Sequence, residues 1–148
     1  MSGGRPSILL VEDTESTRLG LRLLLEQSGL TVAEASNVED ALRVAADHPP
    51  DVAIVDLVLP LTPASEADYE ARAGLEVVRQ LKTLYPGMGI VILSAHPDQG
   101  AAVRNLAQRH RWRGVAYLLK GERATRLEQA IDLVRRGGFH FSPQAGHA

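Results

Sequence analysis

Short apolar runs, spaced along the whole chain, constrain its fold more than any other feature of the sequence. There are five of them, they are rich in Val, Ile and Leu, and they recur at intervals of roughly 20 to 40 residues. Most are continuously apolar, which is typical of parallel strands covered on both faces. The predicted strands are Ile8–Val11, Thr31–Ala35, Val52–Leu57, Ile90–Leu93 and Val115–Leu119.

The segments that follow these runs have the apolar period of helices. Three sets of residues have helical spacing, and each marks one helix face: Val77, Leu81 and Leu84; Val103, Leu106, Ala107 and His110; and Leu127, Ala130, Ile131 and Val134. Ser36 and Glu39 form a capping box for a helix that runs to about His48, and Gly29 and Gly137 mark two helix ends. Strand and helix thus alternate five times. This order predicts an α/β fold, a flavodoxin-like (βα)5 doubly wound parallel five-stranded sheet with strand order 2-1-3-4-5.

Length and composition narrow the function classes. The 148 residues predict a single domain, 1–148, with a core from about 7 to 143. A formal charge of −2 argues against direct nucleic-acid binding, and the absence of cysteine excludes thiol catalysis and thiolate zinc sites and favours a cytoplasmic location. No apolar run approaches the roughly 20 residues of a membrane span, and the histidines lack ligand spacing for zinc. We therefore expect neither membrane insertion nor a zinc site.

Polar side chains lie at the carboxyl ends of four of the five predicted strands. They are Glu12 and Asp13, Asp56, Ser94 and Lys120. Ligands of open parallel sheets bind outside the carboxyl ends of the strands, so these groups converge. Three carboxylates in one crevice repel one another unless a cation lies between them, and an all-oxygen site suits Mg²⁺ or Mn²⁺. A lysine and a hydroxyl can hold phosphoryl oxygens, so the set predicts phosphoryl transfer with a carboxylate as acceptor.

Each residue also has a purely structural alternative. Glu12 and Asp13 could favour the start of the first helix through capping and the helix dipole. Lys120 could extend its ammonium from a strand end, and Ser94 could be an ordinary hydrogen-bonded hydroxyl. Asp56 is the hardest to explain in this way, because burying an unpaired carboxylate in a strand costs roughly several kcal/mol of folding free energy.

As an ordered set, these motifs resemble the receiver domain of two-component response regulators, from about Ser7 to Pro143. The matching segments are Ile8–Asp13, Val55–Pro60, Gly74–Val78, Ile90–His96 and Gly114–Lys120. The end of the chain, Gly137–Pro143, resembles receivers that precede a helix-turn-helix output domain of transcription regulators. Whether the chain is a stand-alone receiver or one that precedes an output domain is left open.

The resemblance implies a role for each residue. Asp56 would be the phosphoacceptor, and Glu12, Asp13, Asp56 and the backbone carbonyl of Val58 would hold Mg²⁺. Ser94 and Lys120 would bind the phosphoryl group, with Ser94 and Tyr117 as the switch; the alternative for Tyr117 is a half-buried strand aromatic. A sensor histidine kinase or a phosphotransfer protein would donate the phosphoryl group. The domain would be no metabolic enzyme, since it catalyses only its own phosphorylation and dephosphorylation.

Further expectations concern signal output and lifetime. Phosphorylation would alter the face of the fourth helix, fifth strand and fifth helix and promote homodimerisation or partner binding there. Hydrolysis of an aspartyl phosphate needs a water held in line with the phosphorus. The side chains best placed to hold this water are Val58 and His96. Val58 cannot hydrogen-bond water, and the bulky His96 ring can instead shield the phosphoryl group. Slow self-dephosphorylation is therefore predicted.

Three segments depart from the family pattern. Pro60 and Gly74 are fourteen positions apart, so about ten residues are inserted within Leu61–Ala73, where we expect a short helix or ordered flap. Gly121 follows Lys120 where many receivers have proline. Gln108–Arg113 lengthens the connection into the fifth strand; either it grips an acidic partner or nucleic acid, or it is a solvated helix end with Trp112 packed locally.

Two other function classes remain as alternatives. One is a receiver-like binding module that is not regulated by phosphorylation. The other is an aspartate-dependent phosphatase of the haloacid-dehalogenase type, which needs a second acid two residues after the first, where this chain has Val58. A nucleotide-binding or flavin domain is disfavoured, because the turn after the first strand lacks a glycine-rich phosphate loop.

Overall fold

The structure, a computed structural model, describes residues 5–60, 69–70, 73–96 and 99–142. Within these ranges the chain forms eight strands and five helices. The strands are β1 (Ser7–Val11), β2 (Thr31–Ala35), β3 (Val52–Asp56), β4 (Leu59–Pro60), β5 (Tyr69–Glu70), β6 (Gly89–Ser94), β7 (Val115–Leu119) and β8 (Phe139–Phe141). The helices are α1 (Glu15–Gln27), α2 (Val38–Asp47), α3 (Ala73–Leu84), α4 (Gly100–His110) and α5 (Ala124–Arg135). No helix in this part of the chain is long and apolar enough to cross a membrane.

The main sheet of the described residues is six-stranded and parallel, in the order β2-β1-β3-β6-β7-β8. Its first five strands are the five predicted strands in the predicted order. The predicted number of strands is one too small, because Phe139–Phe141 adds a short strand to the edge of β7, in register Val115↔Phe139 to Tyr117↔Phe141. An uncovered strand edge presents unpaired backbone groups, and β8 pairs those of β7.

Alternate strand residues supply the two halves of the core. Leu9, Val55, Ile92 and Tyr117 belong to one buried cluster, which also contains residues from α2, α3 and α4. Ile8, Ile54, Val91 and Leu118 belong to the other, with residues from α1 and α5. Side chains alternate between faces along a strand, so continuously apolar runs bury both faces of the sheet. This double cover leaves the ends of the strands as the places where polar groups can gather.

Most predicted helix features are confirmed, with two corrections. The cap of α2 is Asn37 and not Ser36: the Asn37 side chain accepts a hydrogen bond from the Asp40 N–H at 2.8 Å. Both residue types cap well, and a start at Asn37 lets Val38, Ala41 and Ala45 reach the core. Leu84, expected on the buried face of α3, is 61% exposed.

Other expectations about helix ends hold. Gly29 and Gly137 take φ values of +88° and +82° just beyond the ends of α1 and α5. Trp112 packs against the core and stacks on His110 with ring centroids 5.1 Å apart, as expected for a local contact at a solvated helix end.

The insertion is described only in part. Pro60 pairs with Tyr69 and Leu59 with Glu70 in a two-stranded antiparallel ladder. Tyr69 and Glu70 are therefore extended, so the short helix, one of the two expected forms, does not include them; the other form, an ordered flap, is compatible with this pairing. Residues 61–68 and 71–72, which contain the rest of the predicted helix or flap, lie outside the described residues.

A buried lysine binds three carbonyls of the connections that lead into β6 and β7. Lys82 is 3% exposed, and its ammonium donates to the carbonyls of Pro86 at 2.9 Å, Met88 at 2.8 Å and Arg113 at 2.6 Å. All three ammonium hydrogens are thus used. The sequence contains only two lysines, Lys82 and Lys120.

Candidate functional site

Three carboxylates meet where β1 and β3 end. Asp56 is the last residue of β3, and Glu12 and Asp13 follow β1 directly. Asp56 is 7% exposed and Glu12 is 1% exposed. One oxygen from each of the three side chains lies within 4.8 Å of the others. The structure therefore brings together the carboxylates that the sequence places at the strand ends, at separations that a single divalent cation can bridge.

Neighbouring groups hold Glu12 in place. Its carboxylate accepts a hydrogen bond from the Thr14 N–H at 3.0 Å, and its carbonyl accepts one from Arg18 Nη1 at 2.8 Å. Burial raises the pKa of Glu12 above its ordinary value, and the charge of Asp56 adds to this rise. The Thr14 N–H and the ammonium of Lys120 oppose it. Glu12 is thus a buried acid close to another carboxylate, and a nearby cation stabilises its charged form.

Lys120 supplies a cation to this cluster. Its Nζ donates to Asp56 Oδ2 at 2.8 Å and to Glu12 Oε1 at 3.2 Å. Burial alone would lower the pKa of Lys120, but its hydrogen bonds and charge attraction to Asp56 and Glu12 outweigh burial and raise the pKa above its ordinary value. The lysine is therefore a fixed positive charge beside the carboxylate proposed as acceptor.

A four-residue turn carries Lys120. The Glu122 N–H donates to the Leu119 carbonyl at 3.3 Å, which closes the turn, and Gly121 takes φ +95°. This is the third position of the turn, where a type II turn needs a positive φ and favours glycine. Gly121 therefore provides a tight turn at the position where many receivers have proline.

Ser94, His96 and Tyr117 form a second chain of contacts on the neighbouring strands. Ser94 ends β6 and is fully buried, and its hydroxyl oxygen accepts the His96 N–H at 2.9 Å. The Tyr117 hydroxyl donates to the His96 carbonyl. The Tyr117 side chain is wholly buried, not half-buried, because its ring packs beside Gly100 at the start of α4. The His96 side chain is exposed.

Val58 and Gly74 border the acceptor. The Val58 N–H donates to Asp56 Oδ1 at 3.2 Å, so both carboxylate oxygens of Asp56 have a donor. A Cβ added at Gly74 would lie 2.1 Å from the Asp56 carbonyl oxygen, closer than any real contact. Only glycine therefore lets α3 begin against the end of β3.

Sequence analysis did not identify three residues that support the site. Thr14 and Arg18 bind Glu12, and the Glu122 carboxylate accepts the Leu119 N–H at 2.7 Å. Arg18 also binds Glu34 Oε1 at 3.1 Å. The only sequence signal for Arg18 is its place in the first turn of α1, next to the ends of β1 and β2.

The arrangement has the parts needed for phosphoryl transfer. It offers a carboxylate with a paired cation, further carboxylates spaced for a divalent ion, and a hydroxyl at the adjacent strand end. The position where a phosphatase of the haloacid-dehalogenase type needs its second acid holds Val58, which has no ionisable group.

Comparison with known proteins gives a consistent result. Residues 8–132 match the response regulator receiver domain. The response regulator GacA of Pseudomonas viridiflava is 30% identical over 140 residues, which cover 93% of this chain and 58% of GacA. The transcriptional regulatory protein DegU of Brevibacillus brevis is 27% identical over 142 residues, covering 95% of this chain and 54% of DegU. The chain thus spans little more than half the length of these relatives.

Solved structures agree with these relatives. A two-component response regulator of the LuxR family from Aurantimonas sp. superposes with a TM-score of 0.74 at 28% identity, covering 95% of this chain and 91% of that one. A response regulator receiver domain protein from Clostridium thermocellum gives a TM-score of 0.71 at 26% identity, over 88% and 94% of the two chains.

Proposed function

Since this chain belongs to the response regulator receiver domain family of two-component systems, we propose that it accepts a phosphoryl group on Asp56 from a histidine kinase or a phosphotransfer protein. The observation that carries the proposal is the contact between Lys120 Nζ and Asp56 Oδ2, 2.8 Å long, inside a cluster of three carboxylates. Two buried acids at the ends of apolar strands need a function, since replacing Glu12 and Asp56 with apolar side chains would cost less desolvation.

In the proposed transfer, an Asp56 carboxylate oxygen attacks the phosphorus of a phosphohistidine. The new O–P bond forms as the P–N bond breaks, and the imidazole nitrogen leaves with the electron pair and takes up a proton. Lys120, already hydrogen-bonded to Asp56, is placed to move onto a phosphoryl oxygen. The domain acts on itself and turns over no metabolite, so it is not an enzyme in the metabolic sense.

Glu12, Asp13, Asp56 and the Val58 carbonyl would hold Mg²⁺ or Mn²⁺. The fit rests on the all-oxygen donor set, the 4.8 Å spread of its carboxylate oxygens and the raised pKa of Glu12. When bound, such an ion neutralises charge on the phosphoryl oxygens.

The proposed switch uses Ser94 and Tyr117. Both are buried, and both bind His96, one through its backbone N–H and the other through its carbonyl. A phosphoryl group on Asp56 would draw the Ser94 hydroxyl and so alter the face formed by α4, β7 and α5. That face would bind a partner or a second copy of the chain. The output of this switch would be the regulation of transcription, and the protein would act in the cytoplasm.

The test is incubation of the chain with acetyl phosphate and Mg²⁺, followed by intact-mass measurement. We expect one added phosphoryl group, lost when EDTA is present or when Asp56→Asn is used. Asp47→Asn, which removes an exposed carboxylate at the end of α2, is the matched control and labels normally. An unlabelled wild type would favour a binding module without phosphorylation, and equal labelling of Asp56→Asn would show that another residue is the acceptor.

A further inference from the structure

The side chain of Glu122 joins the turn that carries Lys120 to the C-terminal strand. Its Oε2 accepts the Leu119 N–H at 2.7 Å and the Ser142 hydroxyl at 2.6 Å. Its Oε1 lies 3.8 Å from Arg126 Nε, a loose ion pair. One carboxylate oxygen therefore holds both the residue before Lys120 and the residue that follows β8.

Glu122 takes over where the β7–β8 ladder ends. The last ladder bond runs from the Ser142 N–H to the Tyr117 carbonyl, 2.9 Å long. The next donor along that edge of β7, the Leu119 N–H, donates to the Glu122 carboxylate and not to a carbonyl of β8. The carboxylate thus completes the pairing of the β7 edge and fixes the end of β8 in the same contact.

Strand β8 is a short strand at the edge of the main sheet of the described residues. It is three residues long, and its first residue, Phe139, is 49% exposed. Phe141 packs against the core with Arg104 over its ring at 5.0 Å, and His140 Nε2 lies 3.3 Å from the Ser142 hydroxyl. A short, partly exposed edge strand opens at lower free energy than the central strands, so β8 should respond to a lost hydrogen bond.

We propose that Glu122 is a positioning residue that couples Lys120 to β8, so that the state of Asp56 and the seating of β8 form one equilibrium. This inference rests on the proposed function for its trigger. A phosphoryl group extends beyond the Asp56 carboxylate, so Lys120 must leave Glu12 to reach it. The turn that closes at Glu122 then shifts, the bond from Ser142 lengthens, and β8 loosens from β7. By linkage, the seating of β8 biases the position of Lys120 in return.

The first test uses the unmodified protein and its two lysines. Ser142→Ala removes the far end of the link, and we expect it to shift the Lys120 ammonium resonance in lysine-labelled NMR while leaving that of Lys82 unchanged. A purely structural role of Ser142 would not move a signal at the phosphoryl site. An unchanged Lys120 resonance overturns the proposal.

Amide exchange supplies the second measurement. Glu122→Ala should speed exchange of the Leu119 amide by at least about tenfold, the factor expected for loss of a hydrogen bond to a charged acceptor. Exchange of the Ser142 amide, which donates to the Tyr117 carbonyl, should rise as well, because β8 loosens when its hydroxyl loses Glu122. Glu122→Gln, whose amide oxygen still accepts, should retain most of the protection. Glu39→Ala, an exposed acid of α2, is the control and changes neither amide. Equal exchange in Glu122→Ala and wild type overturns the proposal.

The third measurement adds beryllofluoride and Mg²⁺ and reads bound fluoride by fluorine NMR. We expect Ser142 exchange to rise several-fold in the wild type and to show no further rise in Glu122→Ala. Bound fluoride without a change at Ser142 overturns the coupling. If no fluoride binds, the proposed phosphoacceptor function fails, and the Lys120 resonance in Ser142→Ala still decides whether Glu122 links the two segments.

Discussion

Titration of the two lysines with pH should separate the effect of burial on a lysine pKa from the effect of hydrogen bonding. Burial lowers the pKa of Lys82 from 10.5 to about 8. Three carbonyls accept its hydrogens and favour the charged form, so the lowered pKa means that the cost of burying the ammonium exceeds what those bonds return. Lys120 shows the opposite balance, because its partners are charged and its pKa is raised.

The sign of the stability effect follows from proton binding. Between pH 8 and 10.5 the unfolded chain holds a proton on Lys82 that the folded chain has released, so folding becomes more favourable as pH rises. Below pH 8 the Lys82 ammonium is charged in both the folded and the unfolded chain, so the full cost of burying it is present. A pKa unit corresponds to about 1.4 kcal/mol, so the wild type should gain about 2 to 3 kcal/mol between pH 7 and 10 relative to Lys82→Met.

The assay has two parts. Lysine-specific NMR of the wild type gives two side-chain signals, and Lys82→Met assigns them. Urea unfolding of both proteins from pH 7 to 10 gives the stability difference, in which all other titrations cancel. A Lys82 midpoint at or above 10.5, or a stability difference that does not change with pH, refutes the reasoning that burial outweighs the carbonyl bonds.

Four further outcomes are expected. Gly74→Ala should lower the free energy of unfolding by at least about 2 kcal/mol, because its Cβ would overlap the Asp56 carbonyl. Gly20→Ala, which has open space around it in α1, should raise the free energy of unfolding by about 0.5 to 1 kcal/mol. Urea unfolding measures both changes. Asp56→Asn should unfold with equal or higher free energy than the wild type, because it removes one of three crowded carboxylates; a clear loss of stability would contradict this. Val58→Asn should release phosphate faster than the wild type from purified phosphoprotein with Mg²⁺, since the amide can hold a hydrolytic water; an equal rate would disprove that role. Phosphorylation should promote homodimerisation or partner binding, and sedimentation with and without beryllofluoride tests the first; unchanged sedimentation together with unchanged binding to the cognate partner would count against it.

The sequence predicts the sheet well because each strand is a local signal. Val52–Asp56 and Val115–Leu119 are apolar on both faces, and no helix or loop pattern competes with them. The site follows by a topological rule, since the residues after parallel strands must meet at one edge. This rule predicts that Glu12, Asp56 and Lys120 lie together, as they do in the structure.

The main omissions come from contacts that the local sequence pattern does not report. Phe139–Phe141 becomes a strand only because β7 offers an uncovered edge beside it. Lys82 lies on the buried side of α3 because the carbonyls of Met88 and Arg113 reach it, and nothing in the helical period reports them. Glu122 follows the motif lysine closely in sequence, yet its partner Ser142 is twenty positions away.

The small ladder of β4 and β5 has a consequence for how this chain can vary. Leu59 pairs with Glu70 and Pro60 with Tyr69, so the two residues that flank 61–68 lie side by side. The entropic cost of joining two fixed chain ends grows only logarithmically with the number of residues between them, and doubling that number costs about 0.6 kcal/mol. Added residues there need not displace β3 or α3. The ladder therefore offers a point where a peptide tag, a reporter domain or a natural insertion can be accommodated beside Asp56 at little thermodynamic cost.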